Sequence, residues 1–149
     1  GYAPQAAPMA RQMKQLGLPA KLLGGDTLCS PEVGKLGGDA VNELVYCAQG
    51  GTMLDKTNAG PAFKAKFKKR FNLDADAYAA SYYDQTLLIG DAIQKAQSLD
   101  PNKVGAEIYK GSYQGVAGTY AYDENGNLKQ APITVLTFKN AAPTPLASY

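Results

Sequence analysis

"KLLGGDTLCSPEVGKLGGDAVNELVYCAQ", residues 21–49, is the stretch that decides the fold class. Lys21–Leu23 reads as a short buried strand that stops at Gly24-Gly25. Ser30-Pro31-Glu32 is a helix start, with serine as N-cap and proline at the first helical position. That helix is short and ends near Gly37-Gly38. "NELVYCAQ" is the next strand, apolar at Leu44, Val45 and Tyr46. Upstream, Met9, Met13 and Leu16 recur at helical spacing, with Arg11, Lys14 and Gln15 between them and Gly17 as a stop. Residues 5–16 therefore read as an amphipathic helix. Helix and strand followed by helix and strand is the alternation of an α/β sheet. One residue stands out: Asp26 delivers a lone carboxylate to the end of an apolar strand.

Composition narrows what that carboxylate can do. The 149 residues suit about one domain and can bury roughly two-thirds of their unfolded surface. Apolar content of 45% and charged content of 19% are globular values. A net charge of +2 gives no argument for nucleic acid. No apolar run reaches the ~18 residues of a membrane helix. The opening "GYAPQAAPMARQ" has no apolar core of a signal peptide, so the expectation is that a leader was removed or that the natural start lies elsewhere. There is no histidine, which removes Ser-His and Cys-His catalytic pairs and the usual zinc sites. The "GG" turns do not form a dinucleotide fingerprint. No catalytic residue, metal or cofactor is expected.

Cys29 and Cys47 admit two readings. They are buried free thiols that pack as small hydrophobes, or they form a disulfide closing a loop of about 19 residues, with a stabilisation of about 3 kcal/mol. The bridge would imply an oxidising compartment such as a periplasm. A catalytic thiol would lack a base.

Past residue 49 the pattern changes. "GGTMLDKTNAG", residues 50–60, reads as a linker or crossing. In "PAFKAKFKKRF", Phe63, Phe67 and Phe71 lie four apart on one helical stripe, and Lys64, Lys66, Lys68, Lys69 and Arg70 fill much of the rest. Such a face is solvated or meets an anionic partner, and the balanced charge elsewhere favours the first. A long helix follows over about 75–97, with Tyr78, Tyr82 and Tyr83 at its start as core residues with the hydroxyl at an edge, or, for Tyr78, as a ligand contact. Asp100-Pro101 opens a further helix that Gly111 closes. "GTYAYDENGNLKQAPITVLTF", residues 118–138, alternates on both sides of Asn125-Gly126 and reads as a hairpin. "NAAPTPLASY" is a proline-rich tail without pattern. Three consecutive helices want a sheet that the chain does not supply. Either a partner segment lies elsewhere, or the helices pack on the hairpin as one α+β domain.

Four segments stand in a telling order: "GYAPQAAPMARQMKQLGL", "LLGGDTLCSPEVGKLGGDA", "DAYAASYYDQTLLIGDAIQKA" and "GVAGTYAYDENGNLK". Together they resemble the C-terminal half of the type I periplasmic binding proteins, specifically the branched-chain amino acid (Leu/Ile/Val) receptors of ABC transporters. The resemblance covers nearly the whole chain, and the cysteine pair is similar to one that forms a disulfide in a subset of that family.

The resemblance implies an α/β fold of two Rossmann-like lobes, truncated here to the C-terminal half of the chain, with a ligand trapped in the cleft between lobes. Residues 1–50 would open the C-terminal lobe, 51–115 would supply helices to the N-terminal lobe, and 116–149 would return as the C-terminal hairpin and tail. The implied partners are a small amino-acid-class ligand, a membrane ABC permease, and the missing N-terminal half or a second copy of the chain. The implied compartment is the bacterial periplasm. Asp26 matches the position whose carboxylate pairs with the ligand's ammonium, and Tyr2 matches a tyrosine lining the cleft. Tyr78 is a further ligand candidate. Competing readings are local: Asp26 as a turn aspartate bonding its own backbone, and Tyr2 as a frayed terminal residue. In function, a transport receptor stands beside a ligand sensor of the same fold used in signalling.

Overall fold

The computed structural model describes residues 1–50 and 54–149. Part of the crossing expected at 50–60, residues 51–53, lies outside the described residues. The chain divides into two compact units, Gly1–Gly50 with Pro132–Tyr149, and Gly51–Ala131. Residues 116–131, expected with the terminal hairpin, are grouped with the helices of the second unit.

The first unit carries α1 (Ala3–Gln15), β1 (Leu22–Gly24), α2 (Pro31–Gly37), β2 (Val45–Gly50) and two C-terminal strands, Ile133–Lys139 and Ala142–Ser148. The sheet order is β1, β2, 133–139, 142–148. β1 runs parallel to β2, and the remaining pairs are antiparallel. The helix between two parallel strands is the α/β unit that the sequence announces. Ser30 Oγ accepts the Glu32 N–H at 3.2 Å, which is the expected cap of α2. Arg11 and Lys14 of α1 donate to the carbonyls of Leu36, in the last turn of α2, and Asp39, in the turn after it.

The buried face of α1 differs from the expected one. Ala3, Ala6, Ala7 and Ala10 are buried, while Met9 and Leu16 are exposed. Alanines at i, i+3, i+4 and i+7 form a stripe of their own, and their small side chains let the helix sit close to its neighbours. Ala3, Ala6 and Ala10 join Leu28, Cys29, Val33, Val41, Val45, Cys47, Leu136 and Phe138 in one core. β1 is an edge strand whose Leu23 is 75% exposed, so the expected buried strand is buried on one side only.

The tail is a second correction. Residues 142–148 form an edge strand, not an unpatterned tail. Pro143 and Pro145 mask it in the sequence, yet an edge strand tolerates residues with no N–H to give. Its partner 133–139 pairs with β2 and with 142–148 rather than with the segment before Asn125-Gly126. The turn that joins these strands is Asn140-Ala141, both at positive φ (51° and 57°). It is clamped by Ala141 N–H donating to Asn42 Oδ1 at 2.8 Å. The tip lies so close to α2 that a Cβ at Gly34 would collide with the Ala141 carbonyl.

The second unit carries α3 (Gly60–Phe71), α4 (Ala77–Ala96) and α5 (Pro101–Lys110), followed by β3 (Tyr113–Gln114) and β4 (Thr119–Tyr120). With these in place, the two C-terminal strands of the first unit are β5 and β6. Asp76 and Asp100 cap α4 and α5 through backbone N–H groups at 2.8 Å. Phe63 packs with Leu54 and Ala80 in a small core, and the Phe67 and Phe71 rings continue outward from it at centroid distances of 5.8 and 4.7 Å. Among the described residues of this unit the only sheet is the two-residue pair β3–β4. The Asn125-Gly126 turn forms, but only Tyr122 and Leu128 bridge across it. Backbone bonds from Asp123 N–H to the Asn127 carbonyl and from Lys129 N–H to the Ala121 carbonyl, each at 2.9 Å, close the loop, and the Asp123 carboxylate also accepts the N–H groups of Asn125 and Asn127. Those N–H bonds, that of Asn127 foremost, hold the Asp123 carboxyl below its ordinary value. No helix among the described residues is long and apolar enough to cross a membrane.

Candidate functional site

Asp26 begins a single 3-10 turn, Asp26–Cys29, directly after β1. Leu28 folds its side chain back over Gly24, onto the place a Cβ there would take. Leu28 N–H closes the turn on the Gly25 carbonyl at 3.0 Å. The Asp26 side chain is exposed, and its Oδ1 accepts the Thr27 N–H at 2.8 Å. The local turn role therefore exists and engages one oxygen. No bond to Oδ2 forms among the described residues, and the exposed carboxylate stands at the carboxyl end of β1. Sites in open α/β sheets lie at this end of the strands.

Tyr2 is the residue immediately before α1, with its side chain 67% exposed. It is not frayed. Its N–H donates to Gln5 Oε1 at 3.1 Å, and its carbonyl accepts from Gln5 and Ala6 N–H, each at 3.0 Å. Thr27 Oγ1 donates to the Gly1 carbonyl at 2.7 Å. That bond brings the segment carrying Tyr2 against the turn carrying Asp26. Of the three ligand candidates, Asp26 and Tyr2 thus lie on neighbouring segments of the first unit.

Cys29 and Cys47 form a disulfide, with Cα atoms 5.5 Å apart and both side chains buried. It ties the far end of the Asp26 turn to the middle of β2. The alternative of two free thiols is excluded. The loop closed is the one expected, so the stabilisation of about 3 kcal/mol carries over.

Tyr78 belongs to the second unit, in the first turn of α4, and is 40% exposed. Tyr83 stacks on Phe63 with ring centroids 5.0 Å apart.

One functional group escaped the sequence reading. Asp84 is fully buried in α4. Its carboxylate accepts the Val116 N–H at 2.7 Å, the Ala117 N–H at 2.8 Å and the Tyr120 hydroxyl at 3.1 Å. Gly115 presses on the carboxylate so closely that no Cβ fits. Burial, and then the Asp84 charge, push the Tyr120 phenol well above its ordinary value. The signal was available: Ala80, Asp84, Leu88 and Ala92 are the buried residues of α4, spaced four apart on one stripe. An aspartate in such a stripe must find donors.

Residues 1–143 match the periplasmic binding protein family. The chain belongs to that family. A leucine-, isoleucine-, valine-, threonine- and alanine-binding protein of Pseudomonas aeruginosa is 30% identical over 138 residues, 91% of this chain and 36% of that protein. A Leu/Ile/Val-binding protein homologue of Brucella abortus is 33% identical over 130 residues, 87% of this chain and 34% of that one. The chain thus spans about a third of the length of the curated relatives it matches. Among solved structures, a leucine-binding protein of Thermotoga maritima superposes with a TM-score of 0.83 at 28% identity, over 99% of this chain and 42% of that one. The isoleucine complex of a branched-chain amino acid transporter substrate-binding protein from Streptococcus pneumoniae has the same fold, with a TM-score of 0.80 at 20% identity. The fold is that of the type I periplasmic binding proteins, with this chain covering 42% of each of these two.

Proposed function

We propose that this chain is the C-terminal part of an extracytoplasmic solute-binding receptor of an ABC transporter. The receptor traps an amino acid between two lobes and does no chemistry on it. The first unit belongs to the C-terminal lobe, and the helices of 51–115 serve the N-terminal lobe. The ligand class is the branched-chain amino acids and their near neighbours, in keeping with the names of the relatives. The remaining partner is a membrane permease that reads the closed form, and the compartment is the bacterial periplasm, which suits a buried disulfide.

The observation that carries the reading is the juxtaposition of Asp26 and Tyr2 at the carboxyl end of β1. An amino acid is a zwitterion, and its ammonium needs an acceptor. A carboxylate gives the strongest one, more so when lobe closure removes water. Asp26 Oδ2 takes that ammonium. The Tyr2 ring packs against the body of the ligand, and Tyr78, on the second unit, is a further ligand candidate. The ligand carboxylate is gripped by the part of the receptor that precedes this chain.

The test is calorimetric titration of the full-length receptor with a panel of α-amino acids. Saturable binding of leucine, isoleucine or valine is the expected result. Absence of binding by every α-amino acid in the panel would overturn the reading.

A further inference from the structure

Thr27 touches both halves of the proposed site. Its backbone N–H holds Asp26 Oδ1 at 2.8 Å, and its hydroxyl holds the Gly1 carbonyl at 2.7 Å. The second bond spans 26 residues of sequence and is the direct link between the segment that presents Tyr2 and the turn that presents Asp26. The other ties on each side are independent of it. Tyr2 is anchored to α1 through Gln5 and Ala6, and the Asp26 turn is anchored to β2 through Cys29–Cys47. The shared core of Ala3, Ala6, Leu28 and Cys29 packs the body of α1 against the Asp26 turn, but Tyr2 stands ahead of α1, and the Thr27–Gly1 bond is the tie that holds that leading segment to the turn.

We propose that Thr27 is a positioning residue that sets the distance between the Tyr2 side chain and the Asp26 carboxylate, and so tunes ligand affinity without touching the ligand. This rests on the receptor reading above. A merely structural threonine would act on stability alone. This bond lies at the surface, where water replaces it readily, so its loss costs little stability and is read mainly in geometry.

The experiment uses the full-length receptor with L-leucine as probe. Thr27→Val keeps the shape and removes the hydroxyl, and Thr27→Ser keeps the hydroxyl. The expected result is that Thr27→Val weakens leucine binding roughly threefold to tenfold, with a change in Tm of about 2 °C or less. Thr27→Ser restores the affinity. In a Tyr2→Ala background the Thr27→Val effect shrinks below about twofold, because the residue it acts through is gone. Unchanged affinity in Thr27→Val, or the same loss with and without the Tyr2 side chain, overturns the proposal. A second readout needs no ligand: amide exchange over residues 1–6 rises in Thr27→Val and not in Thr27→Ser. A wild-type receptor that ignores leucine but shows this exchange pattern sinks the leucine reading and keeps the coupling. Unchanged exchange sinks the coupling itself.

Discussion

Replacing Asp84 by alanine removes one carboxylate and strands three donors. The Val116 N–H, the Ala117 N–H and the Tyr120 hydroxyl all converge on a side chain with no exposure to solvent. Each donor left unpaired in such a place costs about 1–3 kcal/mol. The methyl that replaces the carboxyl leaves room for water to reach some of them, so the sum falls to about 3–5 kcal/mol. Asp84→Asn keeps an oxygen toward one N–H but turns an amide N–H toward another donor, with an expected loss of about 1–3 kcal/mol. The global unfolding of a two-lobed receptor need not be two-state, so the assay is amide exchange at Val116 and Ala117. Protection should fall roughly a hundredfold or more in Asp84→Ala, with Asp84→Asn in between. A denaturant series should rank the three proteins in the same order. Exchange at both amides unchanged in Asp84→Ala would refute the reasoning, because the carboxylate would then not be what holds the 115–118 loop.

Two further outcomes follow from the same packing. Gly34→Ala drives a methyl into the Ala141 carbonyl, a backbone atom that cannot rotate away; the expected loss is about 3 kcal/mol by denaturant titration, with Gly25→Ala, whose Cβ meets nothing, as a control in open space. The raised Tyr120 phenol gives a pH dependence. The unfolded chain loses this proton near the ordinary value of 10.0 while the folded protein keeps it, so the contribution is intact below that pH and is lost as pH rises above it. Tyr120→Phe should flatten the alkaline limb of a Tm–pH curve, and an unchanged limb would assign that loss to other groups.

Much of the fold is legible in the sequence because its signals are local. Ser30-Pro31 and Asp100-Pro101 start helices where they stand, since a cap needs only its own first turn. The α/β alternation of residues 5–49 survives for the same reason. What the sequence hides is settled at a distance. The alanine stripe of α1 outcompetes Met9, Met13 and Leu16 because α2 and the sheet require close approach, which no window of α1 records. The strand at 142–148 is disguised by Pro143 and Pro145, harmless only because it ends up on an edge. Asn125-Gly126 does turn the chain, but the pairing across it stays short because 133–139 is taken by β2 and β6. In the site, Asp26 was legible as a carboxylate out of place. Its neighbourhood with Tyr2 came only with the family resemblance, and the Thr27 bond across 26 residues that ties the two segments was not legible at all.

The central claim is that Asp26 receives the ammonium of the ligand. The most direct measurement is calorimetry on the full-length receptor with L-leucine and with 4-methylpentanoate, which has the same carbon skeleton and no ammonium, on wild type and Asp26→Ala. The account predicts that wild type prefers leucine strongly. It also predicts that Asp26→Ala loses about 2 kcal/mol or more of leucine affinity, roughly thirtyfold, and most of the preference with it. Leucine binding of unchanged affinity in Asp26→Ala would contradict it.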